Sequence, residues 1–199
     1  HLRPRRQRQM CIRDSDITSV SPHVFADADF AGCTGTQRST SGVFMAIRGR
    51  FTCFPISGTS KRQACVSHST PEAEMVAAAL ALRNVLIPGL DLWDVLFPHK
   101  PPAQFLEDNQ AMIQVMKTGK NPTMRYLHRT HRISVAELHE IFTNDWVDLV
   151  YEESCRMAAD IFTKAFNDRH RWTQACYLIN HVDKAAYADL VQHFSDPPT

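Results

Sequence analysis

The sequence predicts an α/β fold: a five-stranded mixed sheet, its first three strands antiparallel, with helices packed against it. Three observations point there. β-rich runs stand at HVFADADF (23–30), GVFMAI (42–47) and FTCFPI (51–56). The last two are joined by Arg48-Gly49-Arg50, a tight turn that argues for a hairpin. Beyond them, helical and extended patterns alternate, giving the order βββ-α-β-α-α-β-α.

The first helix starts at Ser69-Thr70-Pro71-Glu72. Thr70 can cap, Pro71 suits the first helical position, and Glu72 complements the positive end of the helix dipole. The run EAEMVAAALALRNVLI is apolar nearly all round and is expected to be largely buried. Pro88-Gly89 is expected to break it before a second helical stretch, LDLWDVLF. Strand AQFLE (103–107) follows, then helix 109–119, a proline-containing basic loop, helix 132–142, strand WVDLVYE (146–152) and helix MAADIFTKAF (157–166). Residues 168–193 read as one or two amphipathic helices. On these grounds residues 1–20 are a disordered or foreign basic arm, 21–166 the folded domain and 167–199 a C-terminal helical extension.

A chain of 199 residues with 44% hydrophobic content can bury one core. A net charge of +1 does not advertise a nucleic-acid binder, although such a balance can hide a basic face opposite an acidic pocket. The six cysteines are scattered without a CxxC pair or zinc-finger spacing, as expected for reduced thiols in an intracellular protein. No continuous apolar run reaches the ~20 residues of a membrane span. The start HLRPRRQRQ lacks the apolar core of a secretory signal. A soluble protein with no membrane partner is therefore expected.

Four acids, Asp27, Glu74, Asp108 and Asp160, lie near element ends in otherwise apolar surroundings. A buried carboxylate is costly unless a cation or hydrogen bonds compensate it, so their convergence would call for divalent metal. Asp27 and Asp29 share a strand face; Asp29 suits a turn at the strand end, which favours Asp27 as the ligand. Glu74 lies past the capping positions, and Ala77, Ala78, Ala81 and Val85 continue its face. Asp108 ends a strand where open sheets commonly place ligands, although Asp108 or Asn109 could simply cap the next helix. Asp160, taken by itself between Ala159 and Ile161, reads as an ordinary surface residue of a helix.

The four acids stand in the blocks DADFAGC (27–33) with QRSTSG (37–42), SKRQACVSHSTPEAEMVA (60–77), LEDNQAMI (106–113) and RMAADIFTKAF (156–166). The order and wording of these blocks resemble the ribonuclease H domain at the end of copia-type retrotransposon Pol polyproteins. The resemblance implies a ribonuclease H-like fold, with Asp27, Glu74, Asp108 and Asp160 as catalytic and metal-binding residues. It also implies two Mg²⁺ ions, replaceable by Mn²⁺, roughly 3.5–4 Å apart. The implied reaction is endonucleolytic cleavage of the RNA strand of RNA–DNA hybrids during reverse transcription. Lys61, Arg62, Lys117, Lys120, Arg125, Arg129 and Arg132 would supply phosphate contacts. Gln63, Ser67, Ser69 and Asn109 would add polar contacts to the hybrid backbone. The implied partner is an adjoining reverse transcriptase domain, and the implied setting a cytoplasmic retroelement particle or the nucleus.

Two departures accompany the resemblance. Many ribonucleases H carry a histidine in the loop before the last acid, and none occurs here between His139 and Asp160. His128, His131 and His139 are spaced in a way that invites a zinc site, but no matching cysteine or histidine cluster completes one. The rival reading is a catalytically inactive hybrid-binding or tether module from a degenerate element. The intact acidic quartet favours the enzyme.

Overall fold

The computed structural model describes residues 17–182 apart from 51, 122, 123 and 125. The start of the basic arm, the end of the C-terminal extension and Arg125 lie outside the described residues. A 3-10 turn at Ile17–Ser19 and a buried Val20 lead into the sheet.

Strands β1 (Ser21–Asp29), β2 (Thr40–Gly49) and β3 (Thr52–Arg62) form the expected antiparallel meander. β4 (Ala103–Glu107) then pairs parallel with β1, and β5 (Val147–Tyr151) parallel with β4. The spatial order is β3-β2-β1-β4-β5. β3 is an edge strand and accordingly tolerates Pro55, which cannot donate to a ladder; the β2–β3 register shifts beside it, between Met45 and Ala46.

Alternation along the strands builds two apolar layers. Val24, Ala26, Val43 and Met45 lie in one layer with the buried residues of helix α1 (Thr70–Ala81), and Ala103 and Phe105 of β4 extend that layer, Phe105 edge-on to Phe142. Phe25, Phe44, Ala46 and Leu106 face Met157, Ala158 and Ala159. With both faces covered, β1 is buried along most of its length. Ser69, rather than Thr70, caps α1, its hydroxyl accepting from the Glu72 N–H.

Pro88-Gly89 does not break the helix. Residues Leu82–Leu86 open into a π turn that runs straight into α2 (Ile87–Leu96), where Pro88 stands in the first turn. The π turn widens the hydrogen-bond ladder there, the Ile87 N–H reaching back to the Leu82 carbonyl, and this accommodates the N–H that Pro88 lacks. The resulting helix from Thr70 to Leu96 is long and apolar enough to cross a membrane by length and composition. Its first half, however, is the core helix on the sheet.

Helix α3 (Gln110–Thr118) is capped by Asn109 and ended by Gly119 in the left-handed conformation at φ 66. A one-turn helix, α4 (Leu127–Thr130), lies in the expected basic loop. α5 (Val135–Phe142) starts later than expected, because Ser134 caps it and Arg132 has φ 57. The stretch expected to be an α-helix at 157–166 is instead a 3-10 turn at Ala158–Phe162. α6 (Arg169–Leu178) follows. The described cysteines, Cys33, Cys53, Cys65, Cys155 and Cys176, are free thiols.

His23, early in β1, is held neutral. Burial, reinforced by the Arg48 guanidinium, pushes its pKa down to about 4 from 6.5. Its Nδ1 is buried without a partner, while Nε2 meets Ser21 Oγ at 3.1 Å. Below pH 6.5 the unfolded chain binds a proton that the folded chain refuses until about pH 4, so stability should rise with pH across that window. After discounting for partial exposure, His23 should account for about 2 kcal/mol of it. Urea unfolding of the parent and of His23→Gln at pH 4.5 and 7.5 measures that share; equal pH slopes would contradict it.

Candidate metal centre

The site forms where β1 and β4, parallel neighbours, reach their carboxyl ends. Phe25 pairs with Leu106 in the ladder, so carrying the register two residues further brings Asp27 beside Asp108. Glu74 comes from the second turn of α1 on one face of the sheet. One carboxylate oxygen from each of Asp27, Glu74 and Asp108 lies within 4.8 Å of the others. Asp27 and Glu74 are only 2% and 3% exposed, which makes uncompensated charge there expensive.

Asp160 approaches from the opposite face, on the 3-10 turn. That turn sits unusually close to the sheet. A Cβ on Gly42 would meet Thr163 Cγ2 at 2.6 Å and the Ala159 carbonyl at 2.8 Å, and one on Gly58 would meet the Phe162 ring at 2.5 Å. Ser60 Oγ donates to the Phe162 carbonyl at 2.6 Å and fixes the end of the turn. Two absent side chains thus create the space in which the fourth acid is delivered.

Lys164 and Thr163 join Asp160 to the rest. Lys164 Nζ lies 2.7 Å from Asp160 Oδ1 and 3.4 Å from Asp27 Oδ1. Thr163 Oγ1 donates to Asp27 Oδ2. Asp108 accepts from Ser154 Oγ at 2.7 Å. Asp29 behaves as the turn residue expected of it, its carboxylate lying over Gly32.

Electrostatics follow from this crowding. Burial, then the carboxylates of Glu107, Asp27 and Asp108, pushes the Glu74 carboxyl up to about 10. Burial likewise raises Asp160 to about 6, against the pull of Lys164. For Lys164 burial works the other way, but Asp27, Asp160 and Asp108 outweigh it and hold the ammonium at about 12. Glu107, fully buried, is held well above the ordinary carboxylate range, chiefly by desolvation. Sequence reasoning missed it; an acid at the end of an otherwise apolar strand, directly before Asp108, was the available signal. Lys164 was missed too, although it stands one helical turn beyond Asp160.

The donor set suits a divalent cation. Every ligand is a hard carboxylate oxygen, and Glu74 Oε2 is buried without any hydrogen-bond partner, so it is an acceptor with nothing to accept. No other group of three metal-ligating side chains occurs among the described residues. His131 is committed to Glu72, and His139 to the Met116 carbonyl.

The expected hybrid contacts divide. Lys61, Arg62, Lys117, Lys120, Arg129 and Arg132 are exposed and free to meet phosphate. Gln63 and Ser67 are not: at 4% and 3% exposure they form an internal link. Gln63 Nε2 donates to Ser41 Oγ and the Ala73 carbonyl, while its Oε1 accepts from Ser67. Ser69 and Asn109 cap α1 and α3. Glu72 also departs from expectation. It is fully buried and accepts from the His68 N–H, Tyr126 Oη and His131 Nε2, tying the loop around α4 to the start of α1.

Strand order β3-β2-β1-β4-β5, antiparallel then parallel, with acids at the ends of the two central strands, decides the architecture. The fold is ribonuclease H-like. No protein-family model matches the chain. Over 63 residues, 32% of the chain, it is 44% identical to the uncharacterized mitochondrial protein AtMg00810 of Arabidopsis thaliana, and the match spans 25% of that protein. Among solved structures, LC11-RNase H1, isolated from compost, is similar at TM-score 0.49 and 15% identity, over 72% of this chain and 92% of that one. RNase H1 from Halobacterium salinarum gives TM-score 0.44 at 15% identity, covering 72% and 94%. The prototype foamy virus protease-reverse transcriptase gives 0.41 at 12% identity, covering 91% of this chain and 21% of that one.

Proposed function

We propose that this ribonuclease H-like domain hydrolyses the RNA strand of RNA–DNA hybrids, as the ribonuclease H domain of a copia-type retrotransposon Pol polyprotein. The observation that supports it is the meeting of Asp27, Glu74 and Asp108 from three elements within 4.8 Å, with Asp160 alongside. Asp27, Glu74, Asp108 and Asp160 would hold Mg²⁺ or Mn²⁺. When bound, such ions lower the pKa of a water and stabilise charge on the scissile phosphate and leaving oxygen. The chain's own share is positional: two central strands and a cradled turn fix the carboxylates before substrate arrives. The exposed basic residues would grip the phosphates, while contacts to 2′-hydroxyls would distinguish RNA from DNA. The same reading places a reverse transcriptase domain beside this one and the whole in a cytoplasmic retroelement particle.

The test is a labelled RNA–DNA hybrid incubated with the purified chain. Cleavage of the RNA strand into 5′-phosphorylated products with Mg²⁺, and none in EDTA, is the expected result. Hybrid binding without cleavage, with Mg²⁺ or Mn²⁺ present, would instead establish the inactive tether module. Activity unchanged by EDTA would remove the metal mechanism.

A further inference from the structure

We propose that Lys164 is a built-in cation of the acidic centre, holding Asp160 against Asp27 in the metal-free protein and competing with divalent metal for those carboxylates. The inference rests on the metal-binding reading above. Both oxygens of Asp27 are taken by the segment that delivers Asp160: Oδ2 accepts from Thr163 Oγ1, and Oδ1 lies 3.4 Å from Lys164 Nζ. The same Nζ donates to Asp160 Oδ1 at 2.7 Å. The group of three mutually close carboxylates comprises Asp27, Glu74 and Asp108, and Asp160 is outside it. Lys164 therefore stands between the trio and the fourth acid and pairs with both.

Two further features separate this arrangement from an ordinary ion pair. The Lys164 side chain is 40% exposed, whereas the Asp27 side chain it meets is 3% exposed. The ammonium can thus leave for water on its four-carbon stem without vacating a packed space. The backbone it hangs from cannot follow, because Gly42, Gly58 and Ser60 hold the 158–163 turn on the sheet. The device has a fixed base and a removable charge. A lysine ammonium is charged across the physiological range and so able to compete. The lysine does not satisfy the whole acid cluster: Glu74 Oε2 stays buried without a partner.

Because ammonium and metal exclude each other, removing one must strengthen the other. The full chain is titrated with Mn²⁺ in the absence of nucleic acid, following free Mn²⁺ by paramagnetic resonance, for the parent, Lys164→Met, Lys164→Gln and Lys164→Arg. Lys164→Met and Lys164→Gln should bind Mn²⁺ on the order of tenfold more tightly than the parent, and Lys164→Arg should stay near it. In EDTA the two neutral variants should melt below the parent, and added Mn²⁺ should raise their melting temperatures by more than it raises the parent's. Uptake by the neutral variants alone would support the inference in its strongest form. Equal Mn²⁺ affinity in the parent and the neutral variants would overturn it and leave the metal reading standing. No uptake by any of the chains would overturn both.

Discussion

Asp27→Asn is expected to cut cleavage of the RNA strand by at least about a hundredfold while leaving the protein folded. Asp27 lies where the contributions of both sheet faces meet: it is close to Glu74 and Asp108 and is contacted by Thr163 and Lys164. Asparagine keeps the shape and one acceptor oxygen, so the Thr163 contact survives. It removes the charge that a divalent cation needs. In EDTA the variant should be at least as stable as the parent, because one of several mutually repelling buried carboxylates is gone. Initial rates on a labelled hybrid, paired with thermal melts in EDTA, separate the two effects. Cleavage within threefold of the parent would show that Asp27 is not a ligand, whatever its position.

The second large effect concerns stability. Glu72 is fully buried, and three donors converge on its two oxygens: the His68 N–H at 2.8 Å, Tyr126 Oη at 2.8 Å and His131 Nε2 at 3.1 Å. His131 is itself 2% exposed at its side chain. Glu72→Ala leaves the buried His131 without its partner, takes the shared acceptor from the His68 N–H and Tyr126 Oη, and opens a cavity, at a cost of about 3–5 kcal/mol. For a domain of this size that corresponds to a fall in melting temperature on the order of 10 °C. Glu72→Gln should lose less, since one oxygen remains to accept. A loss below about 1 kcal/mol for the alanine variant, measured by urea unfolding, would show that the cluster contributes little. The loop that Glu72 tethers also bears Arg129 and Arg132, so weaker hybrid affinity should accompany any residual fold.

Much of this architecture was legible before any coordinates. The β2–β3 hairpin was signalled by Arg48-Gly49-Arg50, although the ladder runs on through Arg48 and Gly49 to the Gly49–Thr52 pair, and all five strands follow from short apolar runs between turn residues. Glu74 stood out because no capping role explains an acid on an alanine face. What was not legible depends on tertiary neighbours. AADIF has good helical composition, but the space over Gly42 and Gly58 and the anchors at Ser60 and Asp27 draw it into a 3-10 turn. Pro88 signals a break; a π turn absorbs it, and nothing local in LRNVL announces one. Glu72 sits where a dipole partner belongs, so its role as a buried anchor is visible only once Tyr126 and His131 arrive from more than fifty residues away. Gln63 and Ser67 look like surface polar residues because sequence cannot show that each satisfies the other.

The pairing of Thr163 with Asp27 spans 136 residues, nearly the whole described domain. A chain emerging from the ribosome therefore presents its first acid early and receives the last only when synthesis of the fold is almost over. Until then the nascent chain holds only part of its acidic centre.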